Sequence, residues 1–280
     1  MSELRVTVAG SPFVLTPAES LTDPEREALQ RLVTEDSADR PFVLHVRDTH
    51  LDLRDAPVDG EPAAIEADGD RVLVVHDRFA GVLEPFAYRG ELHRGGVREA
   101  FALQLVLRTA LGCRLPLEGG LLVHSAGVVI DGGAYLFHGV SGAGKSTLAS
   151  FMREVLSDEL VAVQRGRARA TGFWGTLDSM DAPAGDYPLR ATIELARGDG
   201  VSLAPLPLRK AMRALLRVAV VPPQPRLWSA AMEVVAELAN APAFRLAWKP
   251  SEENAARVVE AVHAAVIPSV ARDLGVRAAR

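Results

Sequence analysis

Residues Gly139 to Thr147, "GVSGAGKST", place glycines, a lysine and hydroxyls in the order Gly-x-x-x-x-Gly-Lys-Ser. That order suits a polyphosphate. Glycines let consecutive backbone N–H groups converge on phosphate oxygens, and the helix that follows presents its positive end. The lysine bridges the β- and γ-phosphates, and the serine hydroxyl ligates magnesium. Gly139, Ser141, Gly142, Ala143, Gly144, Lys145, Ser146 and Thr147 are therefore the expected ATP-binding residues, with Ser146 also on Mg2+. Asp158 and Glu159 close an apolar run further on. One carboxylate of such a pair can hold the metal, directly or through water, while the other accepts the proton of an attacking hydroxyl. His124 and His138 sit on apolar runs ahead of the loop, where a histidine taken alone reads as a core residue.

These groups need elements to position them. "GLLVHSAGVVI" reads as a strand, "DGG" as a tight turn and "AYLFHG" as the partner strand that runs into the loop. A short helix ("STLASFMRE"), a strand carrying the acids ("VLSDELVAV") and a strand at "LRATIELA" follow. Helices are expected at "LPLRKAMRALLRVAV", "LWSAAMEVVAELAN" and "SEENAARVVEAVHAAV", a strand at "AFRLAW", and a flexible tail over 268–280.

The first ninety or so residues read as mainly β, with strands at "LRVTVAG", "PFVLHVRD" and "RVLVVHD" and a hairpin within residues 54–70. "TDPEREALQRLV" is a helix capped by Thr22 or Asp23 with Pro24 in its first turn. From Val97 to Leu111 the apolar spacing is helical and closes on Gly112. The expected organisation is a β-rich region over 1–95 that positions an acceptor, a nucleotide-binding domain over 96–267, and the tail. The fold class is α/β (α+β).

Composition limits the partners. The chain has 280 residues, 48% apolar and 24% charged, with a formal net charge of −5. Nucleic acid and anionic membranes select for excess Lys and Arg, so neither is expected as a partner. The one cysteine, Cys113, excludes an internal disulfide and reads as a small buried hydrophobe. No signal peptide and no run of about 20 apolar residues is legible, so the expected location is the cytoplasm. An ABC-type transport ATPase is excluded because no "LSGGQ"-like signature follows the loop. The mid-chain loop disfavours a nucleoside-monophosphate kinase.

The ordered set "LLVHSAGVVIDGGAYLFHGVSGAGKSTLA…LSDELVAV", with "YPLRATIEL", "LPLRKAMRALL" and "PAFRLAW" after it, resembles the HPr kinase/phosphorylase superfamily, especially its small divergent serine-kinase relatives. The likeness covers about residues 97 to 265. It implies a phosphoenolpyruvate-carboxykinase-like nucleotide domain with a mixed sheet. It also implies that His124, Lys145, Ser146, Asp158 and Glu159 fall on site positions. Asp158 is then the base toward a serine hydroxyl of a protein or peptide, Glu159 a metal-holding group, and His124 and Lys145 catalytic. Phe173 and Trp174 occupy the place of an aromatic loop near the site. The interval from Lys145 to Asp158 is shorter than in such relatives, and the phosphorylase signature is missing. The resemblance thus carries kinase chemistry, with homo-oligomers known in the family. A nucleotide-dependent partner-binding protein with little transfer is the alternative.

Overall fold

Runs of Val, Leu and Phe near the start of the chain become strands because alternate side chains can be buried on one face. In the computed structural model they are β1 (Leu4–Val8), β2 (Ser11–Thr16), β3 (Phe42–Arg47), β4 (Ala64–Asp68), β5 (Arg71–Val75), β6 (Ala80–Glu84) and β7 (Arg89–His93). The structure describes residues 2–34, 40–49, 62–94, 100–172, 175 and 185–273, with side chains as far as residue 266. The described residues form two mixed sheets and six α-helices, an α+β arrangement. They divide into two units, Met1–Gly120 with Val221–Ala231, and Leu121–Val220 with Met232–Arg280.

The first sheet has the order β1-β2-β3-β7-β6-β5-β4, with β2–β3 and β3–β7 parallel. The crossover from β2 to β3 holds α1 (Asp23–Leu29). Of the two expected caps, Thr22 and Asp23, it is Thr22 that caps the helix, with the Thr22 N–H donating to Glu25 Oε2 at 2.8 Å. Glu25 and Arg94 are both fully buried and joined at 2.7 Å. Arg94 also donates to the Ser20 carbonyl at 2.8 Å and to the Asp48 carboxylate. The segment after Val220 joins this unit through Gln224, whose amide donates to the Gly69 carbonyl at 3.3 Å, and Arg226, 3.2 Å from Asp70.

The helix expected to close on Gly112 is longer. α2 (Ala100–Leu117) runs through Gly112 and Pro116 and stops before Gly119, at φ +73°. Gly112 and Cys113 lie on its buried side, and that packing outweighs a glycine cost of about 1 kcal/mol. Burial also pushes the Cys113 thiol well above its ordinary pKa. α2 packs on α1 and β7. Its Arg114 donates to the Pro12 carbonyl at 3.0 Å. A Cβ on Gly81 of β6 would meet Val106 Cγ2 at 2.9 Å. α2 therefore goes with the first unit, and the division falls at Gly120 instead of residue 95. It is long and apolar enough by composition to cross a membrane, and is mostly buried within the protein.

The second unit is built around a hairpin. β8 (Gly120–Ile130) and β9 (Gly133–His138) pair antiparallel across Asp131 and Gly132, at φ +49° and +70°. Two positive φ values suit a turn that matches strand twist, and Asp-Gly supplies them. β9 lies between β8 and β13 (Asp186–Arg197), parallel to the latter, and all six of its residues are buried. β15 (Ala243–Trp248) runs parallel to β13 on the other side and pairs with β14 (Ser202–Pro205). α3 (Lys145–Ser150), α4 (Leu208–Val218), α5 (Pro225–Ala239) and α6 (Glu252–Asp273) complete the helices. Phe137, Leu148, Ile193, Leu246, Trp248 and Val258 share one core.

Two expectations change here. The stretch expected as one acidic strand is two, β10 (Val155–Ser157) and β11 (Leu160–Gln164), with Asp158 and Glu159 at the break. Ser157 Oγ accepts from the Glu159 and Leu160 N–H groups at 3.1 and 3.0 Å, satisfying the amides that the broken ladder releases. The last helix continues to Asp273, beyond the start of the expected tail, its inner row extended by Val258, Val262 and Val266. The short interval from Lys145 is met by a tight return. α3 has six residues, and the Phe151 and Met152 N–H groups close onto the Leu148 and Ala149 carbonyls at 3.1 and 2.9 Å. Phe173 and Trp174 lie outside the described residues.

Candidate functional site

The loop from Gly139 to Gly144 leaves the buried end of β9 and enters α3. Gly139, Gly142 and Gly144 have φ of +155°, +75° and +95°. Two of them are crowded as well: a Cβ on Gly139 would lie 3.1 Å from the Leu195 carbonyl oxygen, and one on Gly144 would lie 3.1 Å from Trp248 Cζ2. Trp248, at the end of β15 and fully buried, is the floor beneath the loop. Among the described residues, the N–H groups of Ser141, Gly142 and Gly144 meet no protein acceptor. Lys145 folds back so that its ammonium donates to the Gly139 carbonyl at 3.2 Å. Burial lowers its pKa, opposed by the Glu159 carboxylate nearby. Ser146 and Thr147 are exposed at the start of α3. These residues fit a polyphosphate and its magnesium: open amide donors, one fixed cation and a free hydroxyl are what such a ligand requires.

The two carboxylates have different surroundings. Glu159 is 33% exposed and its Oε2 lies 3.3 Å from His124 Nε2. Its backbone carbonyl accepts from the Ser125 N–H at 3.0 Å, which holds the acidic break against β8 beside that histidine. His124 is 39% exposed and so is not a core residue. Asp158 is 2% exposed. Over it lies Gly175, at φ +151°, where a Cβ would sit 2.3 Å from Asp158 Oδ1. The structure thus brings together Lys145, Glu159 and His124, and sets Asp158 below the chain at Gly175. Among the described residues no cluster of three or more His, Cys, Asp or Glu side chains could hold a metal by itself.

Beside the loop opens a cavity of about 480 Å3, lined by His124, His138, Ser141, Glu194 and Arg217 together with apolar groups. α4 is held at its edge because the chain just after it bridges to β8, Val220 N–H donating to the Leu122 carbonyl at 2.8 Å. Three contributors escape the motif reading. Trp248 and Arg217 come from distant elements, and Arg197 reaches the Gly142 carbonyl at 3.5 Å. Pairing of Arg197 with Trp248 across β13 and β15 sets both under the loop. The signal in the sequence was a charged or aromatic residue closing an otherwise apolar strand.

His138 is 1% exposed, and burial, helped by Lys145, lowers its pKa to about 4. The folded imidazole therefore stays neutral where an unfolded one, with a pKa near 6.5, takes up a proton. Its contribution to stability is complete above about pH 6.5 and is lost as pH falls toward 4. The loss should approach roughly 3 kcal/mol. Urea unfolding between pH 7 and 4.5 measures it, and His138→Gln should remove that part of the decline.

The sequence matches no family model and no curated protein.

Proposed function

We propose that this chain is an ATP-dependent kinase of HPr-kinase-like fold that transfers the γ-phosphoryl group to a hydroxyl, that of a serine in a protein or peptide. The observation that carries the reading is the loop itself. It joins open amides, the Lys145 ammonium and the Ser146 hydroxyl to a carboxylate–histidine pair 3.3 Å apart. ATP supplies the phosphoryl group; Ser146 and Glu159 would hold Mg2+, which would neutralise charge on that group. Lys145 binds and orients the phosphates. Asp158 takes the proton of the acceptor hydroxyl as that oxygen bonds to phosphorus and the bond to the ADP oxygen breaks. His124 holds Glu159 in place.

Lys145 supplies the fixed cation of the motif, and hydrogen bonds to charged groups are strong. Lys145→Ala should weaken ATP·Mg binding by about ten- to a hundredfold, with its thermal midpoint kept. Calorimetry gives the affinity and circular dichroism the fold. Parental affinity in the variant would remove the core of this proposal.

The burial of Asp158 favours a second reading, nucleotide-dependent partner binding with little transfer. Magnesium-dependent ATP turnover with and without serine peptides separates the two.

A further inference from the structure

α4, "LRKAMRALLRV", carries four cations and no carboxylate in a chain with net charge −5. An ordinary solvated helix mixes the two signs. At about 100° per residue, Arg209, Arg213, Arg217 and Lys210 fall within an arc of about 100°, one continuous stripe. Ala211, Ala214, Leu215 and Val218 are buried on the other side, so the orientation of the helix is fixed. All four cations are exposed. Among the described residues none of them makes an ion pair, whereas Arg47, Arg89, Arg94 and Arg167 each have a carboxylate within 2.7 Å. The stripe also has a direction. Its last member, Arg217, lines the cavity shared by His124 and Ser141 of the phosphate loop.

We propose that α4 is the docking surface for an acidic peptide segment, which lies along Arg209, Lys210 and Arg213 and brings its serine to the Arg217 end. This rests on the kinase reading above and names the acceptor class. From Arg209 to Arg217 the helix rises about 12 Å. An extended peptide covers that in about four residues at roughly 3.3 Å each. The acidic residues therefore lie within about four positions of the phosphorylated serine. A nucleic acid fits the stripe less well. Its partners carry broad basic surfaces, and this protein is acidic outside the helix.

The test uses the full chain and three fluorescent probes: a serine peptide with a run of glutamates on one side, its glutamine counterpart, and an oligothymidylate of equal charge. Fluorescence anisotropy gives affinity at low and high salt, and calorimetry gives ATP affinity in the same samples. The glutamate peptide should bind in a salt-dependent way and the glutamine peptide should not. Arg209→Gln with Arg213→Gln should weaken glutamate-peptide binding by about tenfold and leave ATP affinity unchanged. Arg209→Lys with Arg213→Lys should restore most of the binding. Equal binding of the two peptides, parental binding by the glutamine variant, or preference for oligothymidylate would overturn the docking surface while leaving the kinase reading intact. Absence of ATP binding in the parent would overturn both.

Discussion

Asp158→Asn should lower single-turnover transfer to a serine peptide by on the order of a hundred- to ten-thousandfold, the usual consequence of losing a general base. Asparagine keeps the size and hydrogen-bonding reach of the side chain but cannot take a proton. ATP binding should survive, because the loop amides and Lys145 are untouched. Gly175→Ala is the companion test, since the added methyl would press on Asp158 Oδ1 from 2.3 Å at a φ of +151°. It should slow transfer through the same carboxylate, again with ATP affinity kept.

Glu159→Gln separates the two acids. It removes a charge that faces Lys145 and His124, so it should raise the magnesium concentration needed for half-maximal transfer. If Glu159→Gln loses transfer and Asp158→Asn does not, the base is Glu159, the carboxylate that meets His124. If the parent transfers to no hydroxyl acceptor at all, the nucleotide-dependent binding reading stands in its place.

The loop was legible because each of its positions answers a local demand. Glycines at positive φ, a lysine and a hydroxyl must occur at fixed offsets, and a single chain displays those offsets. The "DGG" turn was legible for the same reason. What surrounds the loop was not. Trp248 meets Gly144 through pairing of β13 with β15, and nothing near either residue announces the other. The break at Asp158 and Glu159 is held by the bond from Ser125 of β8 to the Glu159 carbonyl, so an apolar run read by itself continues straight through it. Gly112 misled for the opposite reason. Its local preference ends a helix, but the burial of Gly112 and Cys113 carries α2 on to Leu117. Local chemistry thus exposed the loop, while the placement of the acids required the sheet.

Arg94→Met should destabilise the protein by about 3–5 kcal/mol. Arg94 and Glu25 are both fully buried, and the Glu25 carboxylate receives the guanidinium at 2.7 Å. Removing the cation leaves that carboxylate charged, away from water and without its partner, which is the costly way to break a buried pair. The lost contacts to the Ser20 carbonyl and to Asp48 add to it. The remedy distinguishes electrostatics from packing. Glu25 also accepts the Thr22 N–H at 2.8 Å and so caps α1, a role that glutamine can keep. Arg94→Met with Glu25→Gln should therefore recover most of the loss, because no charge is stranded and the cap remains. Urea unfolding of the parent, the single variant and the double variant measures both terms. If the double variant is no more stable than Arg94→Met alone, the cost lies in the volume and geometry of the arginine, and the pair is not what holds α1 to the first sheet.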